Sequence, residues 1–192
     1  MKRLILASSS PRRRELLRNA GFEFEVVPSE ADETYHSGQS SVANAERIAQ
    51  QKAEAVARRL ELADDAVVLA ADTIVVVGGE VLGKPRSPEE ARAMLEKLSG
   101  RAHDVISGVA VVNSGGNRSV VAHETTRVYF RTLSAEEIAA CVATGEPLDK
   151  AGAYAIQGRA SRFVTRIEGC YFNVMGLPVA LVDSLLKEWE VD

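Results

Sequence analysis

Apolar residues along this chain follow two periods. Between Ser41 and Leu60, the positions Val42, Ala45, Ala49, Ala53, Val56 and Leu60 recur at helical spacing and draw one stripe down a long helix. Ala66 to Val77 is instead an almost continuous apolar, β-rich run with no room for a wet face, which predicts a central strand covered on both sides. Gly78-Gly79 then predicts a tight hairpin with a return strand through Leu82. Further strands are expected at Leu4–Ala7, Phe22–Val27, His103–Val112 and Val120–Thr132, the last two joined through Gly115-Gly116. Further helices are expected from Pro11 to Ala20, after Ser87, from Ser134 to about Ala143, and from about Val179 to Trp189. Ser87-Pro88-Glu89-Glu90 and Ser134-Ala135-Glu136-Glu137 both read as capping boxes. The last third otherwise reads as short strands and turns. Strands and helices mix without regular alternation, which predicts an α/β fold on a mixed sheet rather than a doubly wound parallel one.

A length of 192 residues fits one domain or two closely packed lobes, and 46% apolar content supplies a sizeable core. The formal net charge of -4 gives no general attraction for nucleic acid, and 5% aromatic residues make no evident stacking platform for bases. Cys141 and Cys170 are isolated and form no zinc pattern, as expected of reduced thiols in a cytoplasmic protein. The apolar run after Met-Lys-Arg is too short for a signal segment, and no run reaches membrane-span length. His36, His103 and His123 are not spaced as metal ligands.

Four segments carry candidate chemistry. Ser8-Ser9-Ser10-Pro11-Arg12-Arg13-Arg14 opens a helix with three arginines, whereas the similar start at Ser87 is followed by acids. Cations at a helix N-terminus oppose the dipole by roughly 0.3–1 kcal/mol each. Free amides, hydroxyls and guanidinium forks gathered there suit a phosphate; a solvated basic helix start is the plainer reading. Asp72 breaks the central strand, and a carboxylate there needs a cation, a metal or several donors. It can hold Mg²⁺ or Mn²⁺, take a proton from water, or simply pair with a core lysine or arginine. Lys84, in Gly83-Lys84-Pro85, follows the hairpin but lies in no P-loop, and by itself reads as a surface lysine. Lys52 lies at the edge of the long apolar stripe, where a snorkelling stem with a wet head is the ordinary expectation. Glu33 sits in an acidic loop that alone says little. The segment from Glu146 to Gly158 brackets Asp149, Lys150 and Gln157 with turn residues, and Gln157 has the donor and acceptor to read a base edge. An ordinary folded loop is the default there, and the segment Gly169–Pro178 has no role assigned by its chemistry.

Taken in order, the strings LASSSPRRRELL, Asp32-Glu33, QKA around Lys52, ADTIV, LGKP, LSGRAHDVISG, EPLDKAGAYAIQG and NVMGLP resemble the Maf family from residue 4 to about 180. The resemblance implies a single domain related to the inosine triphosphate pyrophosphatases, an elongated mixed sheet with flanking helices in two lobes around a cleft. It implies hydrolysis of a nucleoside triphosphate to monophosphate and pyrophosphate with a divalent cation. It places Ser8, Arg12, Arg13, Glu33, Lys52, Asp72, Lys84 and Gln157 among the polar site residues, with Asp72 as acid–base, and Asp72 and Glu33 on the metal. Arg12, Thr73 and Gln157 match positions linked to base selection. Asp-Thr with DKAGAY and IQG looks like the group acting on dTTP and UTP; Ala155, where glycine is common, is a small-for-small departure. CTP or 7-methyl-GTP as substrate, or a non-catalytic regulator of septum formation, are the competing readings. A homodimer is a family expectation; no nucleic-acid or membrane partner is expected.

Overall fold

The computed structural model describes residues 2–60 and 65–191. Its strands are β1 (Arg3–Leu6), β2 (Glu25–Val26), β3 (Ala66–Val77), β4 (Glu80–Leu82), β5 (Ala102–Asn113), β6 (Ser119–Phe130) and β7 (Val164–Glu168). Its helices are α1 (Pro11–Asn19), α2 (Ser41–Ala57), α3 (Pro88–Leu98), α4 (Ala135–Val142), α5 (Tyr171–Met175) and α6 (Val179–Lys187). The strands form one sheet in the order β2-β1-β3-β5-β6-β7, with β4 on β3 off that path. β1 pairs in parallel with β2 and β3, while β3–β4 and β6–β7 are antiparallel, so the sheet is mixed as expected.

The hairpin at Gly78-Gly79 has φ of +57° and +83°, the left-handed pair that matches strand twist, and seats Val77 opposite Glu80. The Ser134 capping box is complete. At Ser87 the hydroxyl accepts from Glu90 N, but the Glu90 carboxylate turns to Arg86 N instead of the cap's own amide. The second strand is shorter than the expected Phe22–Val27: only Glu25 and Val26 pair, with Ile5 and Leu6, while the Phe22 amide is taken by the Leu17 carbonyl at the end of α1. The last third adds three short 3₁₀ turns, at Glu146–Asp149, Ala151–Ala153 and Arg159–Arg162.

The chain divides into two compact units. Unit 1 comprises Met1–Asp72, Ser107–Glu124 and Gly176–Asp192. Its core is built largely from small side chains: Ala49, Ala53, Val56 and Ala57 of α2 cluster with Ile5 and Ala7, with Ala66, Val68 and Ala70 of β3, and with Ala110 and Val112 of β5. Small residues let the helix come close. At Gly108 of β5 an added Cβ would stand 2.2 Å from the Ala45 carbonyl oxygen. The requirement for glycine there is helix–sheet contact, not backbone conformation.

Unit 2 comprises Thr73–Ile106 and Thr125–Met175. Its core joins Val75, Leu82, Leu95, Leu98, Val128 and Ile138 to the rings of Phe130, Tyr154 and Phe163. His103 is buried among these rings and bonds Tyr154 Oη through Nε2 at 2.8 Å. Burial lowers its pKa to about 4 and raises that of the Tyr154 hydroxyl.

Two outcomes follow. Gly108→Ala lowers unfolding free energy by about 2–3 kcal/mol, since backbone must move to admit the methyl, and chemical denaturation measures it. Below the ordinary histidine range the unfolded chain binds a proton that folded His103 does not take up until about pH 4. Stability therefore declines as pH falls through that interval, by up to roughly 3 kcal/mol. Urea unfolding across that pH series shows a shallower decline in His103→Gln.

Candidate functional site

Asp72 lies on β3 in step with Ala66, Val68 and Ala70, the residues that pack against α2. Strand alternation thus places its carboxylate under the helix, where α2 presents Lys52. The Lys52 Nζ to Asp72 Oδ1 distance is 2.8 Å, with side chains only 9% and 11% exposed. Lys52 is therefore no snorkelling residue. Its head is buried with its stem, because the small residues beside it bring α2 down onto the sheet. The same ammonium also meets Glu33 Oε2 at 3.0 Å, from the segment between β2 and α2. One cation thus holds two carboxylates, one buried and one exposed.

The arginine-bearing helix start belongs to the same unit. Ser10 caps α1, its hydroxyl accepting from Arg13 N at 3.4 Å, and no acidic residue occupies the first turn. Ser8 is buried; its hydroxyl accepts from Ser10 N at 3.2 Å and from Arg13 Nη1 at 3.4 Å. Arg13 Nε donates to the Gly176 carbonyl at 2.8 Å. Burial lowers the Arg13 pKa, Asp72 and Glu33 raise it again, and Arg12 adds to the lowering. The guanidinium stays charged throughout. Arg13 and the two carboxylates therefore share one electrostatic neighbourhood, which also contains Arg12. The Arg12 side chain has no hydrogen-bond partner among the described residues and is available to an anion.

Ser8, Arg12, Arg13, Glu33, Lys52 and Asp72 are thus all found in unit 1. The other three residues singled out in the sequence lie in unit 2. Thr73 follows Asp72 on β3 and by strand alternation projects to the opposite face. Lys84 and Gln157 are exposed, and neither side chain has a hydrogen-bond or ion-pair partner among the described residues. The loop that carries Gln157 is nevertheless well fastened. Gly152, at φ +68°, sits against Val75 and donates its N–H to Gly83 O at 3.0 Å. Arg159 N donates to both Glu146 carboxylate oxygens at 3.2 Å.

Two features escaped the sequence reading. The Gly176 carbonyl that receives Arg13 belongs to the Gly169–Pro178 segment, and a backbone acceptor leaves no signature in residue identity. Asn44 and Arg47 of α2 bind the loop that carries Glu33. The available signal was a polar Asn44 on a buried side of the helix that is apolar apart from it and Lys52.

A divalent cation can be tested against this geometry. Among the described residues no cluster of three or more His, Cys, Asp or Glu side chains forms a protein-only cage. Two carboxylates do converge, on one ammonium, and Lys52 engages Asp72 through Oδ1 and Glu33 through Oε2. Asp72 Oδ2 and Glu33 Oε1 have no hydrogen-bond partner among the described residues. One or two carboxylates completed by substrate phosphates is how Mg²⁺ is ordinarily held, so the residues fit such an ion.

A sequence profile for the family described as Maf-like protein matches residues 3–189. The chain belongs to the Maf-like family. It is 53% identical over 192 residues to a protein named dTTP/UTP pyrophosphatase from Moorella thermoacetica, covering 100% of this chain and 97% of that one. It is 52% identical over 189 residues to one of the same name from Symbiobacterium thermophilum, covering 98% and 95%. A third so named, from Pelotomaculum thermopropionicum, is 50% identical over 189 residues, covering 98% and 97%. Among solved structures, a nucleoside-triphosphatase / dITP/XTP pyrophosphatase from Mycobacterium abscessus overlaps partially, at TM-score 0.42 and 19% identity over 70% of this chain and 75% of that one. Among the described residues of this Maf-like chain, no helix is long and apolar enough to cross a membrane.

Lys52→Met should cost about 3–5 kcal/mol of stability, because it strands the Asp72 carboxylate in an apolar setting. Asp72→Asn should cost much less, since Lys52 keeps Glu33. Thermal and urea unfolding of the two variants side by side test the asymmetry.

Proposed function

We propose that this chain hydrolyses dTTP and UTP to the nucleoside monophosphate and pyrophosphate. The observation that carries the chemistry is the convergence of Asp72 and Glu33 on Lys52 in the same electrostatic neighbourhood as Arg13. The pyrimidine assignment rests on the DKAGAY and IQG strings and on relatives about half identical over nearly their full length.

In this reading the start of α1 grips the phosphates. Arg12, through its side chain and its backbone N–H, and the Ser8 hydroxyl supply donors, and Arg13 adds its charge from a fixed position on the Gly176 carbonyl. Asp72, hydrogen-bonded through one oxygen and open at the other, accepts the proton of the water that attacks the α phosphorus. Lys52 holds Asp72 oriented for that role. Lys84 and the arginines offset the charge that grows on the departing pyrophosphate. Thr73 and Gln157, with Arg12, select the base. Asp72 and Glu33 are the residues that would hold Mg²⁺ or Mn²⁺, which supplies charge neutralisation across the phosphate oxygens when bound. Net acidity accords with a small-molecule substrate rather than nucleic acid, and the reading places the chain in the cytoplasm.

The test is pyrophosphate release from dTTP, UTP, CTP, 7-methyl-GTP, GTP and ATP, with Mg²⁺ or Mn²⁺ and with chelator. Release is expected to be fastest on dTTP and UTP and to stop with chelator. Asp72→Asn should lower kcat by roughly 10²–10⁴-fold with the fold retained. Fastest release on 7-methyl-GTP would keep the reaction and overturn the reading of Thr73 and Gln157. A folded sample that releases pyrophosphate from none of the six would leave a nucleotide-binding regulator in its place.

A further inference from the structure

Glu33 presents a puzzle of placement. It sits on a stretch with neither helix nor strand, and its side chain is 59% exposed, yet it holds the buried Lys52 ammonium at 3.0 Å. The Glu33 carboxylate is itself open to solvent, which screens its side of the pair, and one such contact is too little to fix a loop by itself. The loop must be fixed by something else.

The fixing groups lie on the first turns of α2. Asn44 is fully buried, and every hydrogen bond of its side chain is spent on this loop or on its fastening. Its Oδ1 accepts from His36 N at 2.8 Å, and its Nδ2 reaches the carbonyls of His36, Gln39 and Ser40 at 2.8, 3.4 and 3.2 Å. Arg47 completes the clamp. Its Nη2 donates to the carbonyl of Thr34, the residue after Glu33, at 2.6 Å and to Asn44 Oδ1 at 2.9 Å. Its Nη1 donates to Gln51 Oε1 at 2.8 Å, and its Nε to Gln39 Oε1 at 3.3 Å. On the other side of Glu33, Asp32 Oδ1 accepts from Thr34 N at 2.9 Å and from its hydroxyl at 2.6 Å, and these bonds lower the Asp32 pKa. The backbone that follows Glu33 is therefore tied to α2, the helix that also carries Lys52, and Asp32 before it is tied to Thr34.

We propose that Arg47 and Asn44 are positioning residues, which hold the Thr34–Ser40 backbone on α2 and so deliver the Glu33 carboxylate to Lys52 beside Asp72. A planar fork with several acceptors in fixed directions suits the task, and a lysine at position 47 could satisfy only part of it. The arrangement makes α2 a single rigid mount for two of the three charged groups, Lys52 directly and Glu33 through the clamp.

The decisive measurement is the ¹⁵N resonance of the Lys52 ammonium, assigned by its absence in Lys52→Arg. It is compared in wild type, Glu33→Gln, Arg47→Ala and the double variant. Arg47 is the site to vary because it lies at the helix surface; Asn44→Ala leaves buried backbone groups unpaired and serves as a second variant where it folds. Arg47→Ala is expected to move the resonance toward its position in Glu33→Gln, and to move it no further when both changes are present. A resonance that stays at the wild-type position in Arg47→Ala overturns the proposal, whatever the melting temperature does. The kinetic half rests on the function proposed above. Arg47→Ala and Glu33→Gln should each lower kcat on dTTP by about tenfold or more with KM little changed, and the double variant should lose no more than Glu33→Gln alone. Multiplying losses in the double variant would overturn the proposal. A wild-type enzyme that releases no pyrophosphate would sink the proposed function and leave the resonance comparison to decide this one.

Discussion

The buried contact between Lys52 and Asp72 is the constraint on which the rest of unit 1 depends. A carboxylate inside an apolar strand is affordable only with a cation at hydrogen-bond distance, and Lys52 supplies one at 2.8 Å. That distance in turn requires α2 to lie close to the sheet. The closeness comes from Ala49, Ala53 and Ala57 on the helix, from Ala66 and Ala70 beneath them, and from a glycine at 108 that leaves room for the Ala45 carbonyl. Core packing and site chemistry are here one problem: a larger side chain anywhere along that contact would lift the ammonium off the carboxylate.

The second constraint is the arrangement of charge around that pair. Three arginines at the start of α1 work against the helix dipole, and no acid in the first turn relieves them. Arg13 is instead steadied by a backbone carbonyl from the distant Gly176 and by the field of Asp72 and Glu33. Cations and anions thus offset one another without direct pairing of every group. In the function proposed above, such a site receives a polyanion because its positive groups are already in place and its negative ones lie beside cations. The Glu33 loop fits the same logic: a single exposed carboxylate gains a defined position from hydrogen bonds made by its neighbours.

Much of this was legible in the chain. The helical stripe from Val42, the apolar run broken by Asp72, the Gly78-Gly79 turn and the Ser134 capping box each correspond to an observed element, because each is a local rule that the backbone obeys wherever it lies. The reading was less good where partners decide. Phe22 to Val27 has strand-like residues, yet only Glu25 and Val26 pair, and the Phe22 amide goes to the end of α1 instead. Lys52 looked like a snorkelling residue because its partner is 20 positions away in sequence. The Gly176 carbonyl and the Asn44–Arg47 clamp were missed for related reasons, since a backbone acceptor is the same in every residue and an arginine near a helix start resembles any solvated one.

By itself, then, the sequence determined the longer elements, the mixed α/β class, the family, and the residue types able to handle a phosphate. Those follow from periodicity, capping chemistry and ordered motifs, all of which are local or additive along the chain. Only the tertiary structure decided that Lys52 is buried, that it holds two carboxylates at once, and that the Glu33 loop is clamped to the helix bearing Lys52. Those facts depend on distances between segments remote in sequence, which are set by how closely small side chains allow a helix and a sheet to pack.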